Sequence, residues 1–179
     1  YGGAMLDQKE IDAVVQVMQK SMAVGKQVQT FEKRCAEVMG HKYGVMVNSG
    51  SSALMLAMRM LNLPKGSEVI TPVLTFSTDV ASIVHAGYVP VFVDVELDTY
   101  QIDIGRIERV IGPNTRAILI NSPNNPTGTV VGAAEFEEFM AQVRTDVLVV
   151  LDEAYAEFGR DDSAVAGLAL LARPENLVV

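Results

Sequence analysis

Short apolar runs alternate along the chain with longer stretches in which apolar residues recur every three or four positions. The apolar runs are typical of strands buried on both faces, and the periodic stretches are typical of amphipathic helices. Their alternation predicts βαβ units and a mainly parallel sheet that is covered by helices. The predicted fold class is therefore α/β, with three layers in the order α/β/α.

Six apolar runs are candidate strands, and the stretches between them are candidate helices. The clearest helix is the segment 132–143, because Phe136, Phe139 and Val143 fall on one face. The predicted strands are residues 43–47, 68–71, 89–93, 116–120, 147–151 and 177–179, and the predicted helices include residues 7–22, 29–39, 53–61, 104–111, 132–143 and 165–171.

The first 40 residues differ from the rest, since their pattern contains two amphipathic helices and no strand. Asp7 is the expected N-cap of the first helix. Gly40 is the expected end of the second, because glycine readily takes the positive φ that ends many helices. We therefore expect a helical arm over residues 1–40 and one α/β domain over residues 41–179.

Composition and charge restrict the classes of partner. A formal net charge of −8 disfavours nucleic acid, which proteins bind through basic side chains that neutralise phosphates. No apolar run approaches the roughly 18 residues of a membrane span, and the N-terminus has no signal-peptide pattern. The single cysteine, Cys35, excludes an internal disulfide and is expected to be buried on a helix face. We predict no metal-binding residues.

Two of the predicted strands end in polar residues. Asp152 follows the strand 147–151, Tyr155 lies three residues later, and the strand 116–120 leads into NSPNNPTG, residues 121–128. Ligands of open α/β sheets bind where the carboxyl ends of strands meet loops, so both segments should point polar groups into one crevice. Taken alone, an acid at a strand end is common, and NPTG is also an ordinary turn sequence.

A further polar turn, residues 48–52, lies between a predicted strand and a helix. Backbone N–H groups at the start of a helix bind anions, and serine hydroxyls add hydrogen-bond donors. Ser49, Gly50, Ser51 and Ser52 are therefore candidate ligands of a phosphate group. Serine and glycine also cap ordinary helices, and that interpretation stays open.

The NPTG segment is followed, 27 residues after its Asn, by a strand that ends in D-x-A-Y. This pair of motifs resembles the fold-type I aminotransferases that use pyridoxal 5′-phosphate (PLP), and PNNPTG with VLDEAYAEF is most similar to their histidinol-phosphate branch. The resemblance implies that Asp152 pairs with the ring nitrogen of PLP, since a nearby opposite charge favours the protonated ring. It also implies that Asn125 and Tyr155 hydrogen-bond the phenolic oxygen, with Asp152 and Tyr155 as catalytic residues.

Residues 49–52 and 68–103 resemble a different branch, the DegT-type sugar aminotransferases. This resemblance assigns the serine-rich turn to the phosphate of PLP and assigns Phe76 to stacking on the ring. The alternative for Phe76 is an ordinary core position. Because the two halves resemble different branches, the chain is a natural hybrid, an engineered chimera or an artificial sequence. Its substrate is a keto sugar nucleotide or an amino acid.

The combined resemblance implies transamination of a small-molecule substrate by a cytoplasmic homodimer. The alternatives are a nucleotide-sugar dehydratase of the same fold and a fragment that binds PLP without turnover. The chemistry of the family needs a lysine that binds the cofactor covalently and moves a proton. All six lysines precede Asp152, and the resemblance places the catalytic lysine beyond Val179. We therefore expect a large domain that is truncated before this lysine and before the small C-terminal domain.

Overall fold

Two helices, Gln8–Lys20 (α1) and Lys26–Val38 (α2), occupy the first of two units into which the chain divides between residues 47 and 48. The computed structural model describes residues 5–20, 25–159, 162–171 and 176–179. Residues 21 and 22, at the end of the first predicted helix, lie outside the described residues.

Both predicted helix signals of this unit are confirmed. The Asp7 carboxylate accepts a hydrogen bond from the Lys9 N–H at 2.9 Å, and the Glu10 carboxylate accepts one from the Asp7 N–H at 2.9 Å. These reciprocal bonds satisfy donors that the first turn of a helix leaves free. Gly40 follows α2 with a φ of +67°, which an L side chain rarely adopts.

The second unit is built on one sheet of five parallel strands. The order across the sheet is β2-β1-β3-β4-β5, so β1 and β3 are neighbours although β2 lies between them in sequence. The strands are Glu68–Pro72 (β1), Val89–Val93 (β2), Thr115–Asn121 (β3), Leu148–Asp152 (β4) and Leu177–Val178 (β5).

Helices cover both faces of this sheet. Two further segments, Glu108–Val110 and Ala156–Phe158, are short 3-10 helices. None of the helices in the described part of the chain has the length and apolar character needed to cross a bilayer. The helices of this unit are Gly50–Met60 (α3), Ser77–His85 (α4), Ile104–Ile107 (α5), Ala133–Gln142 (α6) and Gly167–Leu170 (α7).

The side chains of the strands alternate between two buried clusters. On one face, Met58 of α3 and Ile83 of α4 pack with Leu119 of β3. On the other face, Phe136 of α6 packs with Ile118 of β3, as the predicted inward face of this helix requires. The three layers of the predicted fold class are therefore confirmed.

Several predictions from the sequence are wrong in detail. Residues 43–47 do not form a strand, because no strand in the described part of the chain pairs with them; Tyr43 is 76% exposed. The sheet therefore has five strands and not six. Helix α3 begins at Gly50 and not at residue 53, since Ser49 caps it. Cys35, which was predicted to be buried on a helix face, is only half-buried. The fully buried residue of α2 is its neighbour Ala36.

Candidate active site

The direction of the connections changes between β1 and β3, two neighbouring strands of the sheet. The helix that follows β1, α4, covers one face of the sheet, whereas the helix that follows β3, α6, covers the other. Connections that leave neighbouring parallel strands toward opposite faces create the crevice in which open α/β sheets bind ligands. The polar segments that follow β1, β3 and β4 all lie at this edge of the sheet.

Asp152 and Asn121 are register partners at the last positions of β4 and β3. The Asn121 Nδ2 donates a hydrogen bond to the Asp152 Oδ2 at 3.3 Å, and the Ala154 N–H donates one to the Asp152 Oδ1 at 3.0 Å. Asp152 is half-buried. Two donors therefore fix the orientation of a carboxylate at the strand end where the sequence predicted it.

A second carboxylate lies near this pair. Asp79, in the first turn of α4, is 1% exposed and accepts a hydrogen bond from the hydroxyl of Thr75. The same hydroxyl lies 3.2 Å from the Oδ1 of Asn121. Burial raises the pKa of Asp79 to about 6; the bond from Thr75 opposes the rise, and the charge of Asp152 adds to it.

Asp79 was missed in the sequence analysis, although one signal was available. It is an acid directly before the apolar run VASIV of a helix, on a segment that follows a strand end. An acid in such a place is exposed at a helix start or buried against a polar partner, and only the packing of α4 decides which. The structure places it among polar partners.

Asn125 and Tyr155 contact each other. The family resemblance implies that both hydrogen-bond the same oxygen atom of the cofactor. The Asn125 Nδ2 donates a hydrogen bond to the Tyr155 hydroxyl at 3.3 Å. Asn125 is half-buried and Tyr155 is 44% exposed, so both side chains are partly accessible to solvent. The structure therefore brings the loop after β3 and the loop after β4 together at the predicted residues.

The loop after β3 is held by buried polar side chains that the sequence analysis did not select. The Gln101 Nε2 donates to the carbonyl oxygens of Asn121 at 3.0 Å and of Thr129 at 3.1 Å, which join the two ends of the loop. The Ser122 hydroxyl accepts a bond from the Val131 N–H at 2.9 Å. These bonds fix the backbone on either side of the NPTG turn.

The predicted turn interpretation of NPTG also holds. Gly128 has a φ of +74°, and its N–H donates to the carbonyl oxygen of Asn124 at 2.7 Å. The Nδ2 of Asn124 reaches the carbonyl oxygen of Leu74, which follows β1, at 3.4 Å. The turn is thus both a local turn and a link across the crevice between β1 and β3.

The serine-rich turn forms the N-terminus of α3. Ser49 is the N-cap, and its hydroxyl oxygen accepts a bond from the Ser52 N–H at 3.2 Å. The hydroxyl of Ser52 donates to the Oδ1 of Asn48 at 2.6 Å. The hydroxyl of Ser51 has no hydrogen-bond partner among the described residues, and a Cβ added to Gly50 would meet no atom within 4 Å. Two of the four residues therefore cap the helix, and two remain open to a ligand.

Phe76 immediately precedes α4 and is half-buried. It belongs to neither of the two buried clusters formed by the described residues, so its predicted alternative as a core residue is not supported. Within the described ranges, no hydrogen bond joins the serine-rich turn to Asp152 or to the Asn125–Tyr155 pair.

Comparisons with known proteins indicate one family for the whole chain. Residues 4–157 match the model of the DegT/DnrJ/EryC1/StrS aminotransferase family, which thus spans both halves of the chain. The aromatic amino acid aminotransferase of Corynebacterium diphtheriae is 37% identical over 134 residues, which cover 75% of this chain and 39% of that protein. Histidinol-phosphate aminotransferase 2 of Carboxydothermus hydrogenoformans is 33% identical over 139 residues, covering 71% of this chain and 36% of that protein.

The comparison with solved structures indicates the same family. GDP-4-keto-6-deoxy-D-mannose-3-dehydratase of E. coli with bound hydrated PLP has a TM-score of 0.75 and 28% identity, covering 92% of this chain and 43% of that chain. The parallel sheet therefore corresponds to the large domain of PLP-dependent transferases, and both resemblances found in the sequence are confirmed. The chain spans about two-fifths of the length of these relatives. It belongs to the DegT/DnrJ/EryC1/StrS aminotransferase family.

Proposed function

We propose that the chain binds PLP in the crevice at the ends of β1, β3 and β4, and that the protein uses it for transamination between an amino donor and a keto acceptor. One observation carries the proposal. The Asp152 carboxylate is oriented by two hydrogen-bond donors at the end of β4, three residues before Tyr155, whose hydroxyl is bonded to Asn125.

Each predicted residue has a role that its surroundings support. Asp152 supplies the negative charge that favours a protonated ring nitrogen. Asn125 and Tyr155 supply donors for the phenolic oxygen, and Phe76 supplies an aromatic surface for the ring. When bound, PLP supplies an electron sink for bonds at the amino-bearing carbon, while the protein orients it.

The phosphate of PLP fits the start of α3. The N-terminus of a helix carries a partial positive charge and free N–H groups, which favour an anion. The space beside Gly50 and the hydroxyl of Ser51, which has no hydrogen-bond partner in the described part of the chain, leave room for that anion without disturbing the Ser49 cap. The residues present therefore fit the phosphate group.

A second candidate function is dehydration of a keto sugar nucleotide. The observation in its favour is the match over 92% of this chain to the E. coli dehydratase structure with bound PLP. The relatives include both amino-acid and sugar enzymes, so keto sugar nucleotides and amino acids are both candidate substrates. The mass of the sugar product that the whole protein forms separates the two reactions: a gained amino group supports transamination, and a lost hydroxyl group supports dehydration.

We further propose that residues 41–179 form the PLP-binding domain, that residues 1–40 form a helical arm, and that the protein is a cytoplasmic homodimer. An exposed apolar stripe on α1 supports association, since Val14 is 59% and Met18 is 60% exposed. Light scattering tests the dimer: a mass twice the 19.3 kDa of the chain supports it, and a monomeric mass contradicts it.

Equilibrium titration of the chain with PLP tests the proposed function. We expect saturable binding that shifts the absorbance of the ring, and weaker binding of pyridoxal, which lacks the phosphate. Equal affinity for both ligands would contradict the assignment of the phosphate to α3, and the absence of saturable binding would contradict the proposal as a whole.

A further inference from the structure

We propose that Asp79 is a second carboxylate of the ring-nitrogen pocket, which favours a protonated ring nitrogen by its charge and acts through Thr75, Asn121 and Asp152. It is a positioning residue, since it reaches the ring only through its neighbours. The inference rests on the proposed function, because it requires a pyridine ring beside Asp152.

The four side chains lie next to one another, each in contact with the next. The hydroxyl of Thr75 donates to Asp79 and lies 3.2 Å from the Oδ1 of Asn121, and the Nδ2 of Asn121 donates to Asp152 at 3.3 Å. Asp79 is 1% exposed and Asn121 is 5% exposed, so water screens little of the charge. Ionisation of Asp79 therefore changes the electrostatic potential at Asp152.

Burial of the ionised Asp79 side chain lowers the free energy of unfolding. No basic side chain forms an ion pair with it in the described ranges, and unpaired buried charge is unfavourable. The negative charge of Asp152 raises the pKa of Asp79 further, because the two carboxylates repel each other. The charged side chains on the elements around it are Arg59 in the last turn of α3, Glu68 at the start of β1, Arg116 near the start of β3, His85 at the end of α4, and Asp152.

The number of charges in the pocket therefore changes with pH. Burial raises the pKa of Asp79 to about 6, so the carboxyl is largely neutral at pH 5 and ionised at pH 8. An additional negative charge favours the protonated form of a nearby base. A protonated ligand should consequently gain affinity as Asp79 ionises, and this gain should disappear when Asp79 cannot ionise.

The probe for the test is 4′-deoxypyridoxine 5′-phosphate, which keeps the ring nitrogen and the phosphate of PLP but has no aldehyde to react with lysines. Its affinity is measured between pH 5 and pH 8 for the parent chain and for Asp79→Asn. We expect the variant to bind about tenfold more weakly at pH 8, the effect of one pKa unit of coupling, and only about twofold more weakly at pH 5. Asp98→Asn, at an exposed acid, is the matched control for net charge and should bind like the parent.

A second probe separates the charge effect from a structural one. In the 1-deaza analogue of the first probe a carbon replaces the ring nitrogen and the aldehyde is again absent, so Asp79→Asn should leave its binding unchanged at every pH. Equal losses with both probes, or a loss that does not vary with pH, would overturn the inference. If Asp152→Ala weakens the first probe and Asp79→Asn does not, this inference alone fails; if neither variant weakens it, the proposed function fails with it.

Discussion

The side-chain amide of Asn125 and the hydroxyl of Tyr155 are joined by a 3.3 Å hydrogen bond, although thirty positions separate them in the sequence. One residue follows β3 and the other follows β4, and these strands are neighbours in the sheet. Two polar groups that already lie within hydrogen-bond distance of each other can both contact one small oxygen atom. This geometry is compatible with the role that the family resemblance implies for both residues, which is to donate hydrogen bonds to the phenolic oxygen of PLP.

Asn125→Ala and Tyr155→Phe should each weaken PLP binding by about 1–2 kcal/mol, because each removes one hydrogen bond between weakly charged partners. The two losses should not add, since the side chains contact each other. Titration of the two single variants and the double variant checks this. Tyr100→Phe, at an exposed tyrosine outside the site, is the control. Strictly additive losses would mean that the two residues act on separate atoms.

The N-terminus of α3 allows the helix cap to be separated from the anion site. Ser49→Ala removes the cap and should lower the free energy of unfolding by about 1 kcal/mol. Ser51→Ala should leave the free energy of unfolding within about 0.5 kcal/mol of the parent, since the Ser51 hydroxyl has no partner among the described residues. Ser51→Ala should nevertheless weaken PLP more than pyridoxal. If both ligands lose the same affinity, Ser51 does not contact the phosphate.

Asp79 should make the ligand-free chain less stable as pH rises. The folded chain holds the proton of Asp79 to about pH 6, whereas the unfolded chain releases it near the ordinary value of 3.8. Between these values the folded state binds more protons, so increasing pH lowers its stability. Asp79→Asn should match the parent near pH 4 and exceed it by about 3 kcal/mol above pH 6 in urea unfolding. A difference that is constant with pH would contradict the raised pKa.

The lysines of the chain should not react selectively with PLP. All six precede Asp152 and are exposed, and an amine that its surroundings do not activate is a weak nucleophile. Borohydride reduction in the presence of PLP, followed by peptide mapping, should label no single lysine, and the chain should show no transaminase turnover. One dominant label that disappears in Asp152→Ala would show that the chain carries its own catalytic lysine.

The sheet was largely predictable because its central strands β1, β3 and β4 are mostly buried on both faces. The run at residues 147–151 identified β4 to within one residue, and the acid after it is the last residue of that strand. Residues 43–47 have the same apolar character, but a strand exists only where a neighbour accepts its backbone bonds. The described chain offers residues 43–47 no such neighbour.

The contacts that orient the site were not predictable, since they join residues that are distant in sequence. Gln101 bonds the backbone of Asn121 and Thr129, twenty and twenty-eight positions away, and nothing in the local sequence selects it. Asp79 becomes part of the site only because α4 packs on the face where Asn121 and Asp152 point. Motifs thus predicted the residues that are proposed to contact a ligand, and the packing of the fold shows which further side chains contact those residues.

The central claim, that Asp152 pairs with the ring nitrogen of PLP, is tested most directly by titrating Asp152→Asn with PLP. The substitution keeps the size of the side chain and removes its charge. We expect the affinity for PLP to fall by about 2–5 kcal/mol, as for the loss of one partner of a partly buried charge pair, with an unchanged circular dichroism spectrum. Asp98→Asn should bind PLP like the parent. A variant at position 152 that titrates with PLP as the parent does would contradict the claim.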